Sequence, residues 1–210
     1  MGEQMKDVEI LECFRSKRNR VCLVKLRDDP QGRLAVLKEY RSEARELPEL
    51  EYQNLKRLRE NGILVPEVIG KADGSLLLEH IPGITAAELA EGLDTGEWLE
   101  GLALWLSRLH SIRTDKGSLL KGDTNLRNFI YSSGKIYGLD FEEEEYGDPR
   151  KDLGNLCFFI LTDTPSFRRE KYEMTRKLLR SYEKYSGTSL GNMGRFLLQS
   201  RAEAKIRRAG

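Results

Sequence analysis

The chain has 210 residues, enough for one domain or two small lobes with a real core. Charged residues make up 33%, yet the formal net charge is only +1, so bulk electrostatics gives no sign of nucleic-acid or membrane binding. No apolar run approaches the roughly 20 residues that span a bilayer, and Met1–Lys6 lacks the apolar stretch of a signal peptide and the Ser or Thr of a myristoylation signal.

The first 40 residues read as strands: Val8–Phe14, Val21–Leu26 and Leu34–Tyr40, with Asp28-Asp29-Pro30-Gln31-Gly32 as the turn between the last two. From about Ser42 to Asn61 the pattern becomes helical, with Leu47, Leu50, Leu55 and Leu58 available for burial and Asn61-Gly62 as the stop. A short strand pair, Val65–Ile69 and Ser75–His80, leads to the punctuation at Pro82-Gly83. Beyond it the chain is mostly helical: a short Thr85–Leu93, then Trp98–His110, an apolar stretch at Leu153–Leu161, and two more helices at Ser166–Tyr185 and Leu190–Arg208. The organisation this predicts is a strand-rich lobe over residues 1–81 and a helical lobe over residues 82–210. Cys13, Cys22 and Cys157 are odd in number and form no CxxC or Cys/His cluster, which predicts reduced thiols, no structural zinc and a cytoplasmic location.

The chemistry-bearing stretch is Lys121-Gly122-Asp123-Thr124-Asn125-Leu126-Arg127-Asn128, followed by Leu139-Asp140-Phe141-Glu142. Asp123 and Asn128 have the D-x-x-x-x-N spacing of a phosphoryl-transfer loop, in which the Asp orients the acceptor hydroxyl and the Asn holds magnesium. Phe129-Ile130-Tyr131 and Lys135–Leu139, on either side of Ser132-Ser133-Gly134, read as a β-hairpin. Folding it sets Asn128 across from the Leu139–Asp140 end, so that two oxygen ligands converge on one hard cation such as Mg²⁺. Such a site also needs a cation on the nucleotide phosphates and an acid to hold it. Lys38 ends an Ala35-Val36-Leu37-Lys38 strand, and alternation puts Val36 on the same face. Glu51 borders the apolar stripe of the following helix as the partner for Lys38, with Glu49 and Glu46 as the other candidates. Leu76–Gly83 fits an extended connector whose unpaired backbone groups can meet an adenine edge.

With these pieces in order, the chain resembles the aminoglycoside phosphotransferase and choline kinase branch of the protein-kinase-like fold. The resemblance runs from about Val8 to Tyr185 and rests on Asn19-Arg20-Val21, Leu37-Lys38, Glu51-x-x-x-Leu55, Leu78–Gly83, Leu109-His110-Ser111, Gly122-Asp123 with Asn128, Leu139–Glu142, and Gly147-Asp148-Pro149 with Asp152-Leu153. It implies an α+β, bilobal protein-kinase-like fold: an N-terminal antiparallel sheet plus one helix, and a mostly helical C-terminal lobe with a catalytic hairpin. It implies ATP and Mg²⁺ as cofactors and an unidentified hydroxyl acceptor. By the resemblance, Asp123 is the catalytic base or orienting group, and Asn128 and Asp140 bind Mg²⁺. Lys38 contacts the α/β phosphates with Glu51 as its partner. The Glu79 carbonyl and Ile81 amide meet the adenine, Val21, Val36 and Ile130 sandwich its ring, and Asp152 braces the catalytic loop.

Three departures bear on this expectation. Lys121 replaces the usual His before Gly-Asp, Arg15–Arg20 contains no glycine, and the short chain has little room for the insertions that shape an aminoglycoside pocket. The four cations of Arg15–Arg20 could contact phosphates directly. The acidic run Glu142–Glu145 is a solvated face or a surface favouring a cationic acceptor. The expected function is thus a small-molecule phosphotransferase. The alternative is a small atypical Ser/Thr protein kinase or a nucleotide-binding pseudokinase within a partner complex, to which Arg201, Lys205, Arg207 and Arg208 could contribute contacts.

Overall fold

The computed structural model describes residues 7–14, 19–41 and 46–209, with the side chains of 205–209 excepted. Arg15–Arg18, the start of the 42–61 helix expectation, and the side chains of Lys205, Arg207 and Arg208 lie outside the described residues. The chain divides into two compact units, one of residues 1–82 with Asp140–Glu143, the other of residues 83–139 and 144–210.

The first unit is an antiparallel sheet with one helix. Strands β1 (Val8–Phe14), β2 (Arg20–Leu26), β3 (Leu34–Glu39), β4 (Val68–Ala72) and β5 (Ser75–Glu79) order as β1-β2-β3-β5-β4, and α1 (Leu47–Glu60) lies between β3 and β4 in sequence. Alternation sorts the sheet's side chains. Cys22, Val24, Ala35, Leu37 and Leu77 form a fully buried cluster on one face. Val21, Val36 and Lys38, at the intervening positions, share the other. Helix α1 carries Pro48 in its first turn, where the missing N–H costs nothing. Its buried stripe is Glu51, Asn54, Leu55 and Leu58, an i, i+3, i+4, i+7 set in which two of four members are polar. Leu50, expected to be available for burial, projects outward and is 40% exposed.

The second unit is mostly helical. It contains β6 (Ile84–Thr85), α2 (Ala86–Glu91), α3 (Trp98–Ser111), β7 (Arg113–Thr114), β8 (Gly117–Leu120), β9 (Phe129–Ser132), β10 (Lys135–Gly138), β11 (Glu145–Gly147), α4 (Arg150–Thr162), α5 (Arg169–Ser186) and α6 (Met193–Ala209). Helix α3 is its spine, with Trp98, Leu99, Leu102, Ala103, Leu106 and Leu109 buried, and it packs on α5 while α4 packs on α6. Two small sheets sit here, β10-β9-β6 and β11-β8-β7. The hairpin register is Lys135↔Ser132 through Gly138↔Phe129, with Gly134 at φ +78° in its turn. No helix among the described residues is long and apolar enough to cross a membrane.

Candidate active site

Lys38 organises the charged cluster of the first unit. It sits on β3, the middle strand of the sheet, facing Val21 across the ladder. Its ammonium bonds Glu51 Oε2 at 2.7 Å, Asp140 Oδ1 at 2.6 Å and Glu142 Oε1 at 2.8 Å, and the residue is only 6% exposed. Burial works against that charge, but the three carboxylates outweigh it and hold the Lys38 pKa above its ordinary value.

Glu51 divides its two oxygens between tasks. Oε2 accepts from Lys38 and from the Tyr40 hydroxyl, while Oε1 accepts from the Phe141 amide at 3.2 Å. Burial first, and then the Glu51 charge, drive the Tyr40 phenol well above its usual pKa, so it stays a donor. Asn54, one turn on, donates to the Phe141 carbonyl at 2.9 Å. The two buried polar members of the α1 stripe therefore strap down the segment carrying Asp140. Asp140 itself adopts φ +62°, a left-handed conformation that costs a residue with a Cβ about 1–2 kcal/mol. Anchoring of Phe141 on both its amide and its carbonyl can hold such a backbone in place.

Glu142 is buried, and beyond Lys38 it accepts from Nδ2 of Asn19, the residue just before β2. Glu51, Asp140 and Glu142 bring ligand oxygens within 4.8 Å of one another. An all-carboxylate set of this kind suits a hard divalent cation.

The second unit holds the loop with Asp123 and Asn128. Gly122 has φ +72°, and its amide donates to Asp152 Oδ1 at 3.1 Å. The Lys121 amide donates to Asp152 Oδ2 at 2.6 Å, and His110 Nε2 meets the same oxygen at 3.0 Å. The carboxylate takes the imidazole N–H, which leaves His110 Nδ1 to accept from the Tyr182 hydroxyl at 2.9 Å. Burial, aided by Asp152, pushes the Tyr182 phenol up to about 12. Asp152 is fully buried on α4, so it fixes two consecutive amides of the loop from beneath.

Past this brace the Asp123 side chain is exposed, with Oδ1 accepting from the Asn125 amide at 3.1 Å. Asn128 Nδ2 donates to the Asp123 carbonyl at 3.3 Å. The ladder of the hairpin continues to Asn128, whose carbonyl accepts from the Leu139 amide at 2.8 Å. Asp140 follows directly in sequence.

The structure thus places Lys38, Glu51, Asp140, Val21, Val36, Glu79 and Ile81 in the first unit, and Asp123, Asn128 and Ile130 in the second. Of the acids considered as partners of Lys38, Glu51 takes that place, whereas Glu49 is exposed and bonded to Lys71. Glu79 ends β5 and its carboxylate caps the Glu67 amide, while Ile81 is buried. Ile130 pairs with Tyr137 and Thr85. Lys121, which introduces the loop, is buried. Two sequence expectations need correction. The glutamate run is not one solvated face, because Glu142 is buried against Lys38 and Glu145 pairs with Lys151, leaving Glu143 and Glu144 exposed. Nor are all three cysteines thiols: antiparallel register sets Cys13 opposite Cys22, and they form a disulfide.

Sequence reasoning missed Glu142, Asn54, Tyr40 and the His110–Tyr182 pair. Asn54 and Glu51 did leave a signal, as polar residues interrupting an apolar stripe. His110 and Tyr182 lie 72 positions apart and left none.

The model of the phosphotransferase enzyme family (APH) matches residues 18–121, so Asp123, Asn128 and Asp140 lie beyond the matched segment. No curated protein sequence matches the chain significantly. Among solved structures, the apoenzyme of macrolide 2'-phosphotransferase MphH from Brachybacterium faecium superposes with a TM-score of 0.69 at 16% identity, covering 94% of this chain and 83% of that one. The ADP-bound aminoglycoside phosphotransferase APH(2'')-Ib gives 0.62 at 18%, with 84% and 78% covered. Choline kinase from Cryptosporidium parvum Iowa II gives 0.64 at 12%, with 87% and 74% covered. Over residues 18–121 the chain is similar to the phosphotransferase enzyme family, and it shares the protein-kinase-like fold of these solved structures.

Proposed function

We propose that the protein is an ATP- and Mg²⁺-dependent phosphotransferase that moves the γ-phosphoryl group onto a hydroxyl of a small molecule. The observation that carries this reading is the buried Lys38 ammonium bonded to both Glu51 and Asp140, residues 13 and 102 positions away in sequence. Three carboxylates around one buried ammonium leave an excess of negative charge, the kind of charged cluster that marks ligand sites.

In this reading Lys38 meets the α/β phosphates and Glu51 fixes its position. Val21, Val36 and Ile130 cover the adenine ring, while the Glu79 carbonyl and Ile81 amide read its edge. Asn128 and Asp140, with Glu142 beside Asp140 in sequence, would hold Mg²⁺, which neutralises charge on the transferring phosphoryl group. The exposed Asp123 carboxylate accepts a hydrogen bond from the acceptor hydroxyl and orients it for in-line attack. Asp152 keeps Asp123 on station through the Lys121 and Gly122 amides.

The decisive experiment is ATP turnover by wild type and Asp123→Ala with a panel of hydroxylated acceptors. Turnover in the wild type and its collapse in the variant are expected. The glycine-free Arg15–Arg20 segment favours one other reading, a nucleotide-binding pseudokinase. Nucleotide binding without turnover in either protein would select it.

A further inference from the structure

The disulfide occupies a particular rung of the sheet. In the β1–β2 ladder Cys13 faces Cys22, and the next and last rung is Phe14–Val21. In the β2–β3 ladder the same two residues of β2 face Leu37 and Lys38. The bond therefore closes the hairpin one rung from Val21, directly beside the rung that carries Lys38.

The two sulfurs are in unlike surroundings. Cys22 is 0% exposed inside the apolar cluster, whereas Cys13 is exposed on β1, an edge strand paired on one side only. A nucleophile from solvent can reach one sulfur of the bond and not the other. β1 itself has little else to hold it: apart from Val8, its side chains are exposed, including Ile10, Leu11 and Phe14. An edge strand with so little buried surface depends on its ladder and on that covalent link.

We propose that Cys13–Cys22 is a thiol–disulfide exchange site for low-molecular-weight thiols, and that its oxidation state sets the affinity for nucleotide. The second half of this proposal rests on the ATP-binding reading above. A thiolate attacks the Cys13 sulfur, the S–S bond breaks, and Cys22 leaves as a thiolate that takes up a proton. A second thiolate then attacks the external sulfur of the mixed disulfide and displaces Cys13. The two electrons gained by the protein come from two thiols, which leave joined as one small-molecule disulfide. The reverse sequence, with that small disulfide as oxidant, restores the link. Oxidised, the last rungs of β1 and β2 are fixed and Val21 and Lys38 keep their register. Reduced, that end of the hairpin opens and the nucleotide face loosens.

The test equilibrates wild type in glutathione buffers of graded ratio and counts alkylated cysteines by intact mass after denaturation. Oxidising buffer should leave one alkylated cysteine, Cys157, and reducing buffer three. Amide exchange of Val21–Val24 should quicken in the reduced protein. The KM for ATP should rise about fivefold or more on reduction, with a smaller change in kcat. Cys13→Ser should match the reduced protein in amide exchange and in KM in both buffers, with two alkylated cysteines throughout. Three alkylated cysteines in every buffer overturn the exchange site, and equal amide exchange in the two states overturns its control of the strand. Equal KM values with a changing cysteine count overturn the link to nucleotide. A protein that binds no ATP in either state overturns the phosphotransferase reading, while the cysteine count and amide exchange still decide whether the site exists.

Discussion

Two carboxylates of the proposed site face different reactants, and substitution should separate them. Asp123→Asn keeps the shape of the loop but weakens the acceptor for a hydroxyl proton. Transfer should fall about 10²–10⁴-fold, with nucleotide binding nearly unchanged. Asp140→Asn should instead weaken nucleotide binding about tenfold or more in the presence of Mg²⁺, with little effect in its absence. Calorimetry with and without Mg²⁺ measures both, and equal loss of nucleotide in the two variants would contradict the roles. Lys38 carries a structural burden as well. Lys38→Met leaves Glu51 and Glu142 buried without their shared cation, which should cost about 3–5 kcal/mol of stability in urea unfolding. Charge, rather than size, decides this, so Lys38→Arg should unfold later than Lys38→Met.

At the level of elements, two features hold the β9–β10 hairpin and the Asp123 loop, and each invites a substitution. A Cβ on Gly138 would lie 2.3 Å from the Trp105 ring, so Gly138→Ala must displace α3 or β10. The cost should be about 1–3 kcal/mol. Gly134→Ala in the same hairpin meets nothing within 4 Å and bears only the strain of φ +78°. A larger loss for Gly134 than for Gly138 in thermal unfolding would contradict the packing argument. Asp152→Ala removes the acceptor for two loop amides and for His110, and should cost about 3 kcal/mol or more. The same elements show what the sequence could convey. The β1–β3 strands, the hairpin and the long helices were legible because alternation, turn glycines and apolar spacing are local signals. Strand β11 was not, because Glu145–Gly147 is three residues of polar character whose pairing with β8 is tertiary. Lys38, Asp123, Asn128 and Asp140 stood out in the sequence by their spacing, and of these the structure joins Lys38 to Asp140. Glu142 was hidden within a charge run, since nothing local separates a buried glutamate from its exposed neighbours. The disulfide was hidden likewise, because parity of cysteines ignores register.

For the molecule as a whole, the buried titratable groups predict how stability depends on pH. Cys157 is buried on α4 with its thiol pushed up to about 12, and burial chiefly pushes Tyr182 up to about 12 as well. Tyr40 and Lys38 are raised too, the first chiefly by burial and the second by its three carboxylates against burial. In all four the folded state keeps a proton beyond the pH at which the unfolded chain releases it, which is 9.0 for the thiol, 10.0 for the phenols and 10.5 for the lysine. Unfolding above those values releases protons, so rising pH favours the unfolded chain. Below about pH 8 none of the four contributes a slope, because folded and unfolded states are equally protonated. The thiol acts first. At pH 10.5 it alone should remove about 2 kcal/mol relative to neutrality, and the two phenols, by then above their unfolded value of 10.0, about 0.8 kcal/mol each. Urea midpoints should therefore hold steady from pH 7 to 8 and then decline towards pH 10.5. In Cys157→Ala the decline should start about one pH unit later, at the phenols, whatever that variant's stability at neutrality. A wild-type midpoint that stays level to pH 10.5, or a variant whose decline begins at the same pH, would show that these groups exchange protons in the folded state as freely as in the unfolded chain.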